Sequence, residues 1–203
     1  MVSPMTSHSK PTKQNDNTWQ DRQVLVAVTG GIACYKACTL VSRLAQAGAT
    51  VRVVMSDSAM KFVTPLTFQS LSNQPVHTSL WESFDRPDAQ HIGIARWCDI
   101  AFIAPATANI IAKAATGICD DLVSTVLCAI PQQTPVVFAP AMNADMWANP
   151  VTQRNIQTVK DLLHWQQVGP EKGWQACRTL GEGRMTEPDA IIQFALQCYT
   201  RRQ

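Results

Sequence analysis

The sequence predicts an open α/β fold with a mostly parallel sheet. Two kinds of pattern point to it. First, several short apolar runs have the composition of strands buried on both faces: Val24–Val28 (VLVAV), Thr50–Met55 (TVRVVM), Asp99–Ala104 (DIAFIA) and Val136–Phe138 (VVF). Second, stretches with apolar residues at helical spacing alternate with these runs, and each run ends in small or polar residues that open the next helix. In such a sheet, side chains just beyond the carboxyl ends of the strands face the ligand crevice.

Composition limits the possibilities. The 203 residues suffice for one domain with a full core, and 46% hydrophobic with 16% charged residues suits a compact chain. The net charge is +2, with no basic run beyond Arg201–Arg202, so neither nucleic acid nor a membrane surface is expected as a partner. No apolar run approaches the ~20 residues of a membrane span. Residues 1–20 are polar, lack an apolar signal core and read as a disordered leader, with the folded domain at 21–203. The seven cysteines are odd in number and lie mostly in apolar stretches, as small core residues would in a reducing cytoplasm. No CxxC pair occurs, and no metal site is expected.

Val24–Val28 leads into Thr29-Gly30-Gly31, then a helical pattern closed by Gly48, then Thr50–Met55. This is a βαβ unit whose glycine turn brings backbone N–H groups and a helix start near an anion. Ser56-Asp57-Ser58 ends the second strand, either capping the next helix or touching a cofactor. Met60–Ser72 carries short helical patterns split by Pro65, and Asn73–Gln90 is irregular, a surface loop or an oligomer contact. His91 opens a short helix, HIGIARWCD, where the positive end of the dipole favours a neutral imidazole; a plain surface or capping histidine fits as well.

After Asp99–Ala104, the turn Pro105–Asn109 supplies small residues and free N–H groups suited to a phosphate. Asp120-Asp121 reads as a helix start rather than a metal site. Val136–Phe138, stopped by Pro140, presents Asn143 on a strand-to-helix turn, as a helix cap or as a ligand-facing amide that both donates and accepts. Asn149–Leu163 is an amphipathic helix, Trp165–Val168 a short strand, and Glu187–Thr200 a closing helix. Between them, Gly173–Met185 holds three glycines and Cys177 in a polar, irregular stretch, the pattern of a mobile flap. With Arg178 and Arg184 nearby, the Cys177 thiol is expected to be acidified.

Together, GGIACYK (30–36), HIGIARWCD (91–99), APATANIIAKAATGICDDL (104–122), PAMNADMW (140–147) and ACRTLGEGRM (176–185) resemble the homo-oligomeric flavin-containing cysteine decarboxylases, in family order over roughly residues 22–200. The resemblance implies a Rossmann-like three-layer fold, bound FMN, and a trimer or dodecamer with the site at a subunit interface. It implies a catalytic set of His91 as base, Asn143 holding the substrate carboxylate and Cys177 as proton donor. Gly30, Gly31, Ile32, Ser56, Ala106, Thr107, Ala108, Asn109 and Ala141 would line the FMN site, and Ala176 and Met185 would flank substrate.

The closest likeness is to the coenzyme A branch. There 4′-phosphopantothenoylcysteine is oxidised to a thioaldehyde, loses CO₂ and is re-reduced to 4′-phosphopantetheine. A peptidyl-cysteine decarboxylase, a non-catalytic flavin-binding regulatory subunit and an unrelated nucleotide-binding module are the alternatives. Two positions depart from the family pattern: Gly31 stands where a serine is usual, and Arg178 where a glycine is usual in the flap. Arginine does not enter positive φ cheaply, so either the flap folds differently or Arg178 has a role such as meeting substrate phosphate.

Overall fold

The computed structural model describes residues 19–81 and 90–200, with Thr200 described by its backbone. In chain order the first half runs β1 (Gln23–Val28), α1 (Cys34–Gln46), β2 (Thr50–Met55), α2 (Asp57–Met60), α3 (Pro65–Ser72), β3 (Val76–His77), α4 (Gln90–Trp97), β4 (Ile100–Ala106) and α5 (Ala108–Thr116). The second half runs α6 (Leu122–Ala129), β5 (Val136–Pro140), α7 (Ala144–Ala148), α8 (Pro150–Leu162), β6 (Gln166–Gln167), β7 (Glu171–Trp174), β8 (Leu180–Arg184) and α9 (Pro188–Thr200).

β1 to β6 form one parallel sheet in the order β3-β2-β1-β4-β5-β6. The predicted class is the one found, and the order is that of a doubly wound sheet. β1 pairs with β2 from Gln23 opposite Thr50 to Val28 opposite Met55, and with β4 from Val24 opposite Ile100.

The continuous apolar runs follow from burial on both faces. Val24, Val26 and Val28 point to one side, where Leu40, Leu44, Phe68 and Ile191 of α1, α3 and α9 cover them. Leu25 and Ala27 point to the other, under Ile94, Ile111, Val126 and Ile156 of α4, α5, α6 and α8. Each fully buried side chain of this size contributes about 1.5–3 kcal/mol. Helix α1 shows how the pattern works: Cys34, Ala37, Leu40, Val41 and Leu44, at spacings of three and four, are its buried face.

Some expectations need correction. Trp19, which the expected leader included, is buried with its ring 6.0 Å from Phe102; residues 1–18 lie outside the described residues. The irregular stretch 73–90 contains an edge strand, β3, paired through Val53 and Val76, while 82–89 lie outside the described residues. Only Cys34 and Cys98 are buried; Cys119, Cys128 and Cys177 are exposed, because they sit beyond a helix end, on an outward helix face and at a hairpin tip. Gly173–Met185 is not irregular but an antiparallel hairpin, β7 with β8. Among the described residues no helix is long and apolar enough to cross a membrane.

Candidate active site

The chain crosses from β1 outward to β2 and β3, then returns to β4, so the strand order reverses between β1 and β4. A crevice opens there at the carboxyl edge of the sheet. Here it is a cleft of about 1130 Å³, lined by the turns after β1, β2, β4 and β5 and by the hairpin. The floor is closely fitted. A Cβ on Gly30 would lie 2.3 Å from Ser58 Cβ, so only glycine lets the first two turns touch. The Thr29 hydroxyl donates to Pro105 O at 2.6 Å and accepts from Thr107 N at 3.2 Å, tying the β1 turn to the β4 turn. Thr107 caps α5 by accepting from Ile110 N at 3.3 Å, and Ser56 caps α2 by accepting from Ala59 N at 3.3 Å. The capping alternative for Ser56 is therefore realised, although the residue also lines the cleft.

The rim is made by Asn143 and the hairpin. Asn143 is the N-cap of α7: its Oδ1 accepts from Asp145 N at 2.8 Å and from Met146 N at 3.0 Å. With the oxygen committed to two N–H groups, the amide nitrogen has to face the other way. It donates toward Cys177 Sγ at 3.8 Å. The cap is realised, and it leaves the amide nitrogen of a residue that lines the cleft free of the helix. The hairpin is held to the same turn by Met142 N donating to Gly183 O at 3.0 Å and by buried Gln175, which accepts from Ala144 N at 3.1 Å and donates to Glu182 O at 2.9 Å. A Cβ on Gly183, at φ 135°, would lie 2.1 Å from Met142 O.

The Cys177 thiol is exposed and lies 2.9 Å from the Thr179 hydroxyl. Hydrogen bonds from Thr179 first, then from Asn143 and the backbone, hold it below the ordinary thiol range. The expected acidification is present, but its cause is hydroxyl and amide donors rather than Arg178 and Arg184. Beneath the hairpin stem, buried Lys36 donates to Met185 O at 2.6 Å and to Glu187 Oε1 at 2.9 Å. That ammonium holds the Glu187 carboxyl below the usual carboxylate range.

A protein-family model described as "Flavoprotein" matches residues 12–200. The chain belongs to the Flavoprotein family. It is 45% identical over 175 residues to the coenzyme A biosynthesis bifunctional protein CoaBC of Bacillus subtilis, covering 86% of this chain and 42% of that protein. It thus spans about two fifths of the length of that relative. Among solved structures, a PPC decarboxylase mutant complexed with pantothenoylaminoethenethiol superposes with a TM-score of 0.79 at 31% identity, covering 89% of this chain and 100% of the other. The FMN-binding protein AtHal3 follows with a TM-score of 0.77 at 31% identity, over 91% of this chain and 99% of that one.

In this flavoprotein the residues singled out from the sequence separate into three groups. Gly30, Gly31, Ile32, Ser56, Thr107, Ala108, Asn109, Ala141, Asn143, Ala176, Cys177 and Met185 all line the cleft. Ala106 does not: it is a fully buried strand residue whose carbonyl accepts from Ala141 N at 3.0 Å, so it shapes the turn from beneath. His91 does not either. It is half-buried in the first turn of α4, outside the cleft lining of its own chain. Gln175, Thr179 and Lys36 escaped the sequence reading. A buried lysine is visible there only as a cation on the apolar stripe of α1, and Gln175 carries no pattern at all because its partners come from α7 and β8.

Proposed function

We propose that this chain is a flavin-dependent carboxy-lyase of coenzyme A biosynthesis, converting 4′-phosphopantothenoylcysteine to 4′-phosphopantetheine in the cytoplasm with FMN as cofactor. The observation that carries this reading is the meeting of Asn143 and Cys177 at the rim of a flavin-sized cleft, in a chain 45% identical to CoaBC. The cleft fits the cofactor. It exceeds the few hundred Å³ a ligand of that size needs. The turns at Gly30–Ile32 and Thr107–Asn109 direct helix N-termini and free N–H groups at a phosphate. When bound there, FMN supplies a two-electron sink and source, so that the carboxylate can depart from an oxidised substrate and the product can be reduced again.

The protein's own part is placement and protons. The Asn143 amide nitrogen, aimed by the cap, orients the substrate carboxylate. Cys177 gives the last proton to carbon, and the Thr179 hydroxyl and Asn143 amide stabilise the thiolate left behind. His91 acts as the base. Since it lies outside its own cleft, the chain works as a homo-oligomer, a trimer or dodecamer in which His91 of one copy reaches the cleft of the next. Residues 21–203 are the decarboxylase domain.

The test is to incubate the purified flavin-loaded protein with 4′-phosphopantothenoylcysteine and follow CO₂ release together with the flavin spectrum. Cys177→Ser is expected to release CO₂ yet accumulate the oxidised enethiol; normal product at the wild-type rate would remove Cys177 from the mechanism. Decarboxylation of a peptide ending in cysteine, in preference to the phosphorylated substrate, would move the protein to the peptidyl-cysteine branch.

A further inference from the structure

Four described residues other than glycine have positive φ: Asp21, Asn73, His164 and Arg178. Three are of the types that enter this region most readily. Arg178, at φ 64°, is not. It is strained there relative to glycine. The turn fixes it in place, with Arg178 N donating to Gln175 O and Gln175 N donating to Thr179 O, both at 2.9 Å. A strained residue at a site is a pointer to a role for its side chain.

The charges around the cleft show what that role is. Four cationic side chains line it: Lys36, Lys113, Arg178 and Arg184. Lys36 is engaged by Met185 O and Glu187, Lys113 by Asp120 and Asp121, and Arg184 by Glu187. Among the described residues, the guanidinium of Arg178 has no hydrogen bond, ion pair or ring contact. It is exposed, next to Cys177, and a planar fork of donors suits a phosphate.

We propose that Arg178 is a specificity-determining residue that receives the terminal phosphate of the substrate; this rests on the decarboxylase reading above. The carboxylate end is already assigned to the Asn143 amide. The remaining anionic group is the phosphate, and among the described residues Arg178 is the one cleft-lining cation with no carboxylate partner.

The experiment compares 4′-phosphopantothenoylcysteine with its unphosphorylated counterpart on the flavin-loaded protein, with CO₂ release as readout. The wild type is expected to favour the phosphorylated compound at least ~10-fold in kcat/KM, chiefly through KM, as a charge-assisted hydrogen bond supplies. That preference should fall as salt rises. Arg178→Gln, which keeps the strained backbone and loses the charge, and Arg178→Gly, which loses both, should each shrink the preference to within about twofold. Arg178→Lys should retain a salt-sensitive part of it. A folded Gln or Gly variant with the wild-type preference would overturn the assignment, as would a wild type indifferent to the phosphate while still releasing CO₂. Failure to release CO₂ from either compound would instead remove the decarboxylase reading and this inference with it.

Discussion

The floor of the cleft and the hairpin above it are held by different forces. The floor is an extension of the sheet: its turns continue β1 and β4, whose side chains are fully buried on both faces. The hairpin has almost no core of its own. Trp174 and Leu180, its largest apolar side chains, are exposed, and it is fastened by Gln175, by Met142 N to Gly183 O and by the Lys36 contacts at its stem. Non-directional burial of β1 and β4 supplies most of the floor's stability, while the Thr29 hydrogen bonds set its closely fitted turns. Directional polar contacts give the hairpin a single docked position that one misplaced atom can remove.

This contrast can be broken from either side. The largest expected effect is on the sheet: Phe102→Ala removes a fully buried ring that also meets Trp19, and should lower global stability by about 3–5 kcal/mol in urea unfolding. Gly183→Ala should act on the hairpin alone, because the new Cβ meets Met142 O at a backbone angle unfavourable to alanine. The expected result is faster hydrogen exchange of the hairpin amides and activity lowered at least ~10-fold, with the global unfolding free energy lowered by less than about 1 kcal/mol. Equal loss of global stability would show the hairpin to be part of the same cooperative unit.

Asn143 divides cap from chemistry. Asn143→Ala should cost about 1 kcal/mol through the lost cap. Asn143→Asp keeps an oxygen for Asp145 N and Met146 N and should retain that stability; on the role proposed for Asn143 it should lose activity by about tenfold or more, because a carboxylate would then face the substrate's own. The smallest effect concerns acid. Since Lys36 lowers the Glu187 carboxyl in the folded protein, its contribution is fully present above the unfolded carboxylate range of ~4.3 and is lost as pH falls through the depressed folded value. Glu187 is half exposed, so screening keeps that contribution below ~1 kcal/mol, and Glu187→Gln should flatten the acid limb of the stability curve by that amount.

Sequence patterning reached the floor far better than the hairpin, for the same reason. β1, β2, β4 and β5 announce themselves because burial on both faces demands continuous apolar residues, and the turns after them because tight approach demands glycine or a capping side chain. EKGW and LGEGR contain no β-branched residue, and their pairing depends on contacts with α7 that lie outside any local window. Cys177 was legible as an exposed thiol among glycines, yet the hydroxyl that acidifies it was not, since a threonine two residues away carries no sign of its rotamer. His91 was recognisable by position in a motif, whereas its distance from the cleft follows from how α4 packs.

The contact between Gly30 and Ser58 has a consequence for loading. Two neighbouring turns separated only by a glycine hydrogen have no slack between them, so the seat for the cofactor exists before the cofactor arrives. A pre-set seat loses little freedom on occupation and leaves more of the gross attraction as affinity. On the role proposed for Arg178, discrimination among substrates falls to the polar-fastened hairpin, where exchanging one residue at the tip would retune selectivity while the seat stays as it is.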